Sequence, residues 1–164
     1  MPDMLVRLYN LPLIAPVLDN LSARGVGVRR ALAPERHIVL DFVGRHFNNG
    51  WVSETAVTFG KTPVTCLIAT YDERVIGFAC YDAIQLNFFG PTGVDEAWRG
   101  HGIGKALLVA TLDAQRHQGY AYSIVGGAGP QDFYRKAVDA IAIEGSEPGI
   151  YRGILRNHEG RHDS

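Results

Sequence analysis

Excess charge of one sign is missing from this chain: 16 Lys and Arg stand against 17 Asp and Glu, for a formal net charge of -1. A general nucleic-acid or anionic-membrane surface needs a clustered basic excess, and no charge run supplies one. Cysteine is scarce as well. Cys66 and Cys80 lie inside strand-like apolar runs rather than in a spaced framework, which fits reduced core thiols in a cytoplasmic protein and excludes a disulfide-stapled scaffold. Long apolar runs are lacking too. The stretch 11–18 is broken by Pro12 and Pro16, too short and interrupted for a membrane span and poor as a secretion signal. Metal-ligand spacing is equally thin: of six histidines only His158 and His162 are four apart, in a polar tail where no stable helix is expected, so no metal is expected.

What is present suffices for one globular domain. At 164 residues the chain is long enough to bury a core without staples, and 46% hydrophobic with 20% charged residues is a folded rather than a disordered composition. Short strands are expected at 5–8 and 26–31, with a helix between them over 16–23 that Gly25 stops. Along 35–47 the residues Ile38, Val39, Phe42, Val43 and Phe47 form one apolar stripe, which predicts an amphipathic helix opened by Pro34. Asn48, Asn49 and Gly50 break it; the segment 51–59 reads as helical or irregular. A hairpin follows, 65–71 and 75–82, turning through Asp72, Glu73 and Arg74. The next strand, 86–89 and 92–94, is interrupted by Gly90 and Pro91, where a bulge or splay is expected. After it come a long helix over 102–118, a strand over 121–125, a helix over 130–138, and a strand pair, 140–143 and 150–155.

The most informative stretch lies between that interrupted strand and the long helix. Gly100, Gly102 and Gly104 strip side chains from the turn where the helical pattern begins, with Arg99 and Lys105 bracketing it. A helix start leaves about four N–H groups unpaired and carries roughly half a positive charge, so exposing it invites a phosphate. Spacing narrows the choice of phosphate carrier. A Walker A loop would need Gly at Arg99 and Ser or Thr at Ala106; a dinucleotide GxGxxG would need Gly at Lys105 or at Leu107. Both fail.

Arg99, Gly100, His101, Gly102, Ile103, Gly104 instead resembles the acyl-CoA pyrophosphate loop of the GNAT superfamily of N-acetyltransferases. The resemblance covers roughly residues 26–155, with its specific motifs confined to about 88–134. It implies an α/β fold with a central, mostly antiparallel mixed sheet, splayed where cofactor enters and flanked by helices. Residues 26–156 are then the GNAT domain, 1–25 an N-terminal extension packed on it, and 157–164 a flexible tail. It also implies that acetyl-CoA is the co-substrate, held by Val94, Arg99, Gly100, His101, Gly102, Ile103, Gly104 and Lys105, with the Val94 amide facing the pantetheine arm or the thioester carbonyl. Tyr134 matches the tyrosine that in many members protonates the coenzyme A sulfur.

Two positions depart from the family pattern. Gly127 stands where many members carry an anchoring Asn, and the stretch 88–94 lacks the acidic residue that often takes the amine's proton. Asp82, at the end of the neighbouring strand, is the first choice for the catalytic base, with Glu54 and His46 as alternatives. Acceptor specificity is expected from the first helices and the last loop, above all from Trp51 and Glu54. The function implied is transfer of an acetyl group from acetyl-CoA to a primary amine of a small-molecule acceptor, by direct attack in a ternary complex. The chain is expected in the cytoplasm, as a homodimer by default, without nucleic-acid or membrane partners. The alternative is a catalytically idle acyl-CoA-binding sensor or interaction module.

Overall fold

The computed structural model describes residues 1–157. Its centre is a hairpin of β3 (Cys66–Tyr71) and β4 (Arg74–Tyr81), with Cys66 opposite Cys80. Asp72 and Glu73 turn it in the left-handed region, at φ 49° and 59°, the conformation that matches a hairpin's twist. Because successive residues point to opposite faces, Leu67, Ala69, Ala79 and Tyr81 feed one core while Cys66, Ile68, Phe78 and Cys80 feed another. Strands buried on both faces need a helical layer on each side.

On the first face lies α4 (Ile103–His117), burying Ile103, Ala106, Leu107, Leu108 and Leu112. The second is covered by α2 (Arg36–His46) and α3 (Asn49–Thr58). Val39, Phe42 and Val43 of α2 are buried there, and the Phe42 ring meets Phe78 edge-on at 6.4 Å. The Asn48 side chain accepts a hydrogen bond from the Trp51 N–H at 2.9 Å, so the residues that break α2 also cap α3. Of the two readings open for 51–59, the helical one holds.

The sheet has seven strands in the order β2-β3-β4-β5-β6-β1-β7, where β1 is Met4–Arg7, β2 Val26–Arg30, β5 Phe88–Val94, β6 Tyr122–Val125 and β7 Ile141–Ala142. Every neighbouring pair is antiparallel except β5 and β6, which run parallel and pair only at Phe88 with Ile124 and Phe89 with Val125. Beyond that point, at Gly90 and Pro91, the two strands part. The remaining helices are α1 (Ala15–Ala23), beside β2 and α4, and α5 (Gln131–Val138), whose Tyr134 and Val138 close the first core.

One expectation needs correction. The strand pair at 140–143 and 150–155 does not form: only Ile141–Ala142 is a strand, and Gly149–Tyr151 is a single 3-10 turn. The place beside β6 is taken by β1, an internal strand with β6 on one edge and β7 on the other. Asp3 fastens the returning chain there, its N–H donating to Ser146 Oγ at 2.8 Å and its carbonyl accepting from the Ile143 N–H at 2.8 Å. Of the tail expected at 157–164, residues 158–164 lie outside the described residues, and His158 and His162 with them.

Candidate active site

The glycine turn sits where β5 hands over to α4. Gly100 and Gly102 adopt φ of 84° and 80°, a region glycine enters without strain, and α4 begins at the next residue. Its first intrahelical bond runs from the Ala106 N–H to the Gly102 carbonyl. The N–H groups of Ile103, Gly104 and Lys105 therefore have no acceptor within the helix, and no side chain caps them. A Cβ at Gly100 or Gly102 would meet nothing within 4 Å, so this ring of amides faces open space. Arg99 and Lys105 are exposed beside it. Arg24, at the end of α1, holds the turn from outside by donating to the His101 carbonyl at 2.9 Å. Trp98 packs against Tyr71 with ring centres 4.6 Å apart.

Val94 faces the gap between the parted strands. The next residue, Asp95, donates its N–H to Ile76 of β4 at 2.8 Å. Since hydrogen-bonding groups alternate in direction along an antiparallel strand, the Val94 N–H and carbonyl turn away from β4, toward the side that β6 has vacated. A Cβ on Gly104 would lie 3.8 Å from Val94 and 3.9 Å from Phe133, so helix start, strand end and α5 meet at one place.

Below the turn the gap opens into a cavity of about 300 Å³. Phe89 to Thr92 and Val125 to Gly129 form its walls, and Tyr134, Trp51, Glu54, Ile84 and Tyr151 face it. Tyr134 is only 6% exposed, and burial pushes its phenol up to about 12. Glu54 is half-buried, and the same desolvation lifts its carboxyl above the usual carboxylate range. No hydrogen bond or ion pair within the described residues engages the Glu54 carboxylate. Tyr151 is raised by burial first, then by the negative charges of Glu54 and Asp3. Its hydroxyl packs so closely on the main chain that a Cβ on Gly126 would lie 2.7 Å from it.

Of the residues singled out in the sequence, the structure brings Tyr134, Trp51 and Glu54 to one cavity and sets the Arg99 to Lys105 turn above it. Asp82 is not brought there. It lies at the closed end of β5, its N–H bonded to the Phe88 carbonyl at 3.0 Å and its carboxylate accepting from the Asn87 N–H at 2.7 Å. His46 is exposed on α2, its ring 4.5 Å from Phe42. Gly127, in place of an anchoring Asn, donates its N–H to Asp3 Oδ1 at 2.8 Å. Sequence reasoning missed Tyr151, Asp3 and Arg24. Tyr151 fell in a stretch read as strand, and Asp3 and Arg24 precede the segment that carries the resemblance. A larger groove of about 570 Å³, lined by Gly27, Ile38 and Thr70 among others, contains none of these groups.

The sheet thus splits beside an uncapped helix start, with a buried phenol at the split. Residues 62–137 match the family model described as an acetyltransferase (GNAT) domain. No curated protein matches the sequence. Solved structures do match in fold. A glucosamine N-acetyltransferase region of a fungal multi-domain β-N-acetylglucosaminidase aligns with TM-score 0.72 at 16% identity, over 87% of this chain and 19% of that one. A GCN5-related N-acetyltransferase from Sphaerobacter thermophilus gives 0.61 at 18%, over 87% and 48%, and one from Kribbella flavida gives 0.58 at 15%, over 86% and 53%. The chain thus spans about a fifth of the first of these proteins and about half of the other two. Among the described residues no helix is long and apolar enough to cross a membrane, and no three potential metal-ligating side chains gather.

Proposed function

We propose that this protein is an N-acetyltransferase that moves an acetyl group from acetyl-CoA to the primary amine of a small acceptor, by direct attack in a ternary complex. The observation that carries the reading is the convergence of three things on the parted strands: the unpaired amides of Ile103 to Lys105, the outward-turned Val94 N–H, and the Tyr134 hydroxyl. The amides, with Arg99 and Lys105, supply donors and positive charge for a pyrophosphate. Val94 donates to the thioester carbonyl as it becomes an oxyanion.

Glu54, rather than Asp82, is the base in this reading. A carboxylate that no neighbour neutralises, in a site that has lifted its affinity for protons, is suited to hold the acceptor's ammonium and keep its proton. The freed nitrogen lone pair attacks the carbonyl carbon, the C–S bond breaks, and the thiolate leaves toward Tyr134. Magnitudes set the role of that phenol. With its hydroxyl at about 12 and a thiol near 8.5, complete proton transfer would run ~5 kcal/mol uphill. Tyr134 therefore acts by donating a hydrogen bond to the developing thiolate, whose proton comes finally from Glu54 or water.

The test is Tyr134→Phe. A lost hydrogen bond to a charged group predicts a kcat about 10- to 100-fold lower. Acetyl-CoA affinity by titration calorimetry is expected to stay near wild type. An unchanged kcat would remove Tyr134 from the mechanism, and a protein that binds no acetyl-CoA would remove the proposal itself.

A further inference from the structure

We infer that the acceptor is a primary amine on a small apolar body carrying no carboxylate, phosphate or other anionic group. The inference rests on the acetyl-transfer reading above and concerns what the same cavity admits. Among the described residues that line it, Glu54 is the sole charged side chain and no Arg, Lys or His faces it; the one positive group on the lining, the Met1 ammonium, is already paired with the Glu147 carboxylate. Trp51, Ile84, Phe89, Pro91 and Val125 provide an apolar wall.

The polar groups present are unsuited to an anion. Thr92 spends its hydroxyl proton on the Phe78 carbonyl at 3.0 Å. Asp3, just behind the wall, accepts from the Gly127 N–H and adds a second negative charge that Tyr151 feels together with that of Glu54. Lys61, in the loop before β3, and Arg30, on β2, are committed elsewhere: Lys61 to the Asp82 carbonyl at 2.6 Å, Arg30 to the Val64 carbonyl and the Tyr81 hydroxyl. An acceptor carboxylate would enter desolvated, unpaired and beside like charge, a combination that rejects rather than merely fails to attract. An ammonium on an apolar stem meets the opposite conditions: one carboxylate to pair with and aromatic faces to lie against. A volume of about 300 Å³, shared with the thioester end, limits that stem to about one ring or a short branched chain.

Acceptors that differ only in charge test this directly. Purified protein is given acetyl-CoA with 2-phenylethylamine, with phenylalanine, with phenylalaninamide and with glucosamine; thiol release is followed, and acetyl-CoA binding is measured separately by calorimetry. The expected result is a kcat/KM for 2-phenylethylamine on the order of 100-fold above that for phenylalanine, from like-charge repulsion and an unpaired carboxylate. Phenylalaninamide, of the same size without the charge, should recover most of the loss, and glucosamine should trail 2-phenylethylamine. Equal use of phenylalanine and 2-phenylethylamine, or a preference for glucosamine, overturns the inference. So does acetyl-CoA binding with no 2-phenylethylamine turnover, which leaves the cofactor reading standing. Absence of acetyl-CoA binding overturns both.

Discussion

The glycine turn and the cavity below it are a few residues apart in space and built on opposite plans. The turn is contiguous: six residues in a row, Arg99 to Gly104, set both its backbone angles and its charge. The cavity is assembled from distant pieces, Trp51 and Glu54 from α3, Thr92 from β5, Tyr134 from α5 and Tyr151 from beyond β7. The turn presents main-chain donors, which any sequence that permits the angles can offer. The cavity presents particular side chains, whose effect depends on burial that only the whole fold creates. In the proposed function the contiguous site holds a co-substrate that does not change, and the assembled one holds an acceptor, since each wall can be altered without disturbing the others.

That contrast is open to attack by substitution. The largest effect is expected at the cavity: Glu54→Gln should lower kcat/KM by about 10² to 10⁴, as for loss of a general base, with acetyl-CoA affinity unchanged. Wild-type kcat/KM should also fall as pH drops through the raised Glu54 pKa, and the variant should lack that acidic limb. The sign for stability is opposite to that for activity. A carboxyl whose folded pKa lies above its unfolded value favours folding below the unfolded value, and that advantage is lost as pH rises through the folded one. At pH 8 the Gln variant should therefore melt no lower than wild type. A lower melting temperature would mean that the Glu54 charge supports the fold, and the division between turn and cavity would blur.

A smaller, complementary effect is expected at the turn. Gly102→Val places a side chain at φ 80° on the face from which a phosphate would approach; strain there costs roughly 1–2 kcal/mol. Acetyl-CoA affinity by calorimetry should fall about 10- to 100-fold, the loss of one charge-assisted contact or a little more, while the acceptor ranking is unchanged. A changed ranking would show the two regions coupled. The smallest effect is expected for Arg24→Ala, which removes an exposed tie on the His101 carbonyl: acetyl-CoA affinity should weaken about two- to threefold in calorimetry. A drop as large as that of Gly102→Val would make Arg24 part of the cradle rather than a brace behind it.

The same division explains what could be read before the structure. Val39, Phe42 and Val43 announced α2, the paired apolar runs announced the β3–β4 hairpin, and Gly100 to Gly104 announced the turn, because each is written in consecutive residues or in one helical period. Residues 150–155 misled because an apolar run near the end of a sheet protein reads as a strand. Nothing local shows that β1 already fills the place beside β6. Asp82 looked promising on similar grounds. A carboxylate ending a strand next to the split is adjacent in sequence logic, yet β4 runs antiparallel to β5, so the end of β4 lies at the closed mouth of the V rather than the open one. Tyr151 and Asp3 could not be placed because their partners, Gly126 and Gly127, lie about 25 and 124 positions away.

β1 has a further consequence, for the order in which the molecule can come together. Its neighbours are Tyr122–Val125 on one edge and Ile141–Ala142 on the other, so Met4–Arg7 have no strand partner until more than a hundred further residues have been made. Closing so long a span is entropically slow, which places β1 among the last strands to find its seat. Until it does, the Gly127 N–H lacks its Asp3 acceptor and the cavity wall stays unfinished.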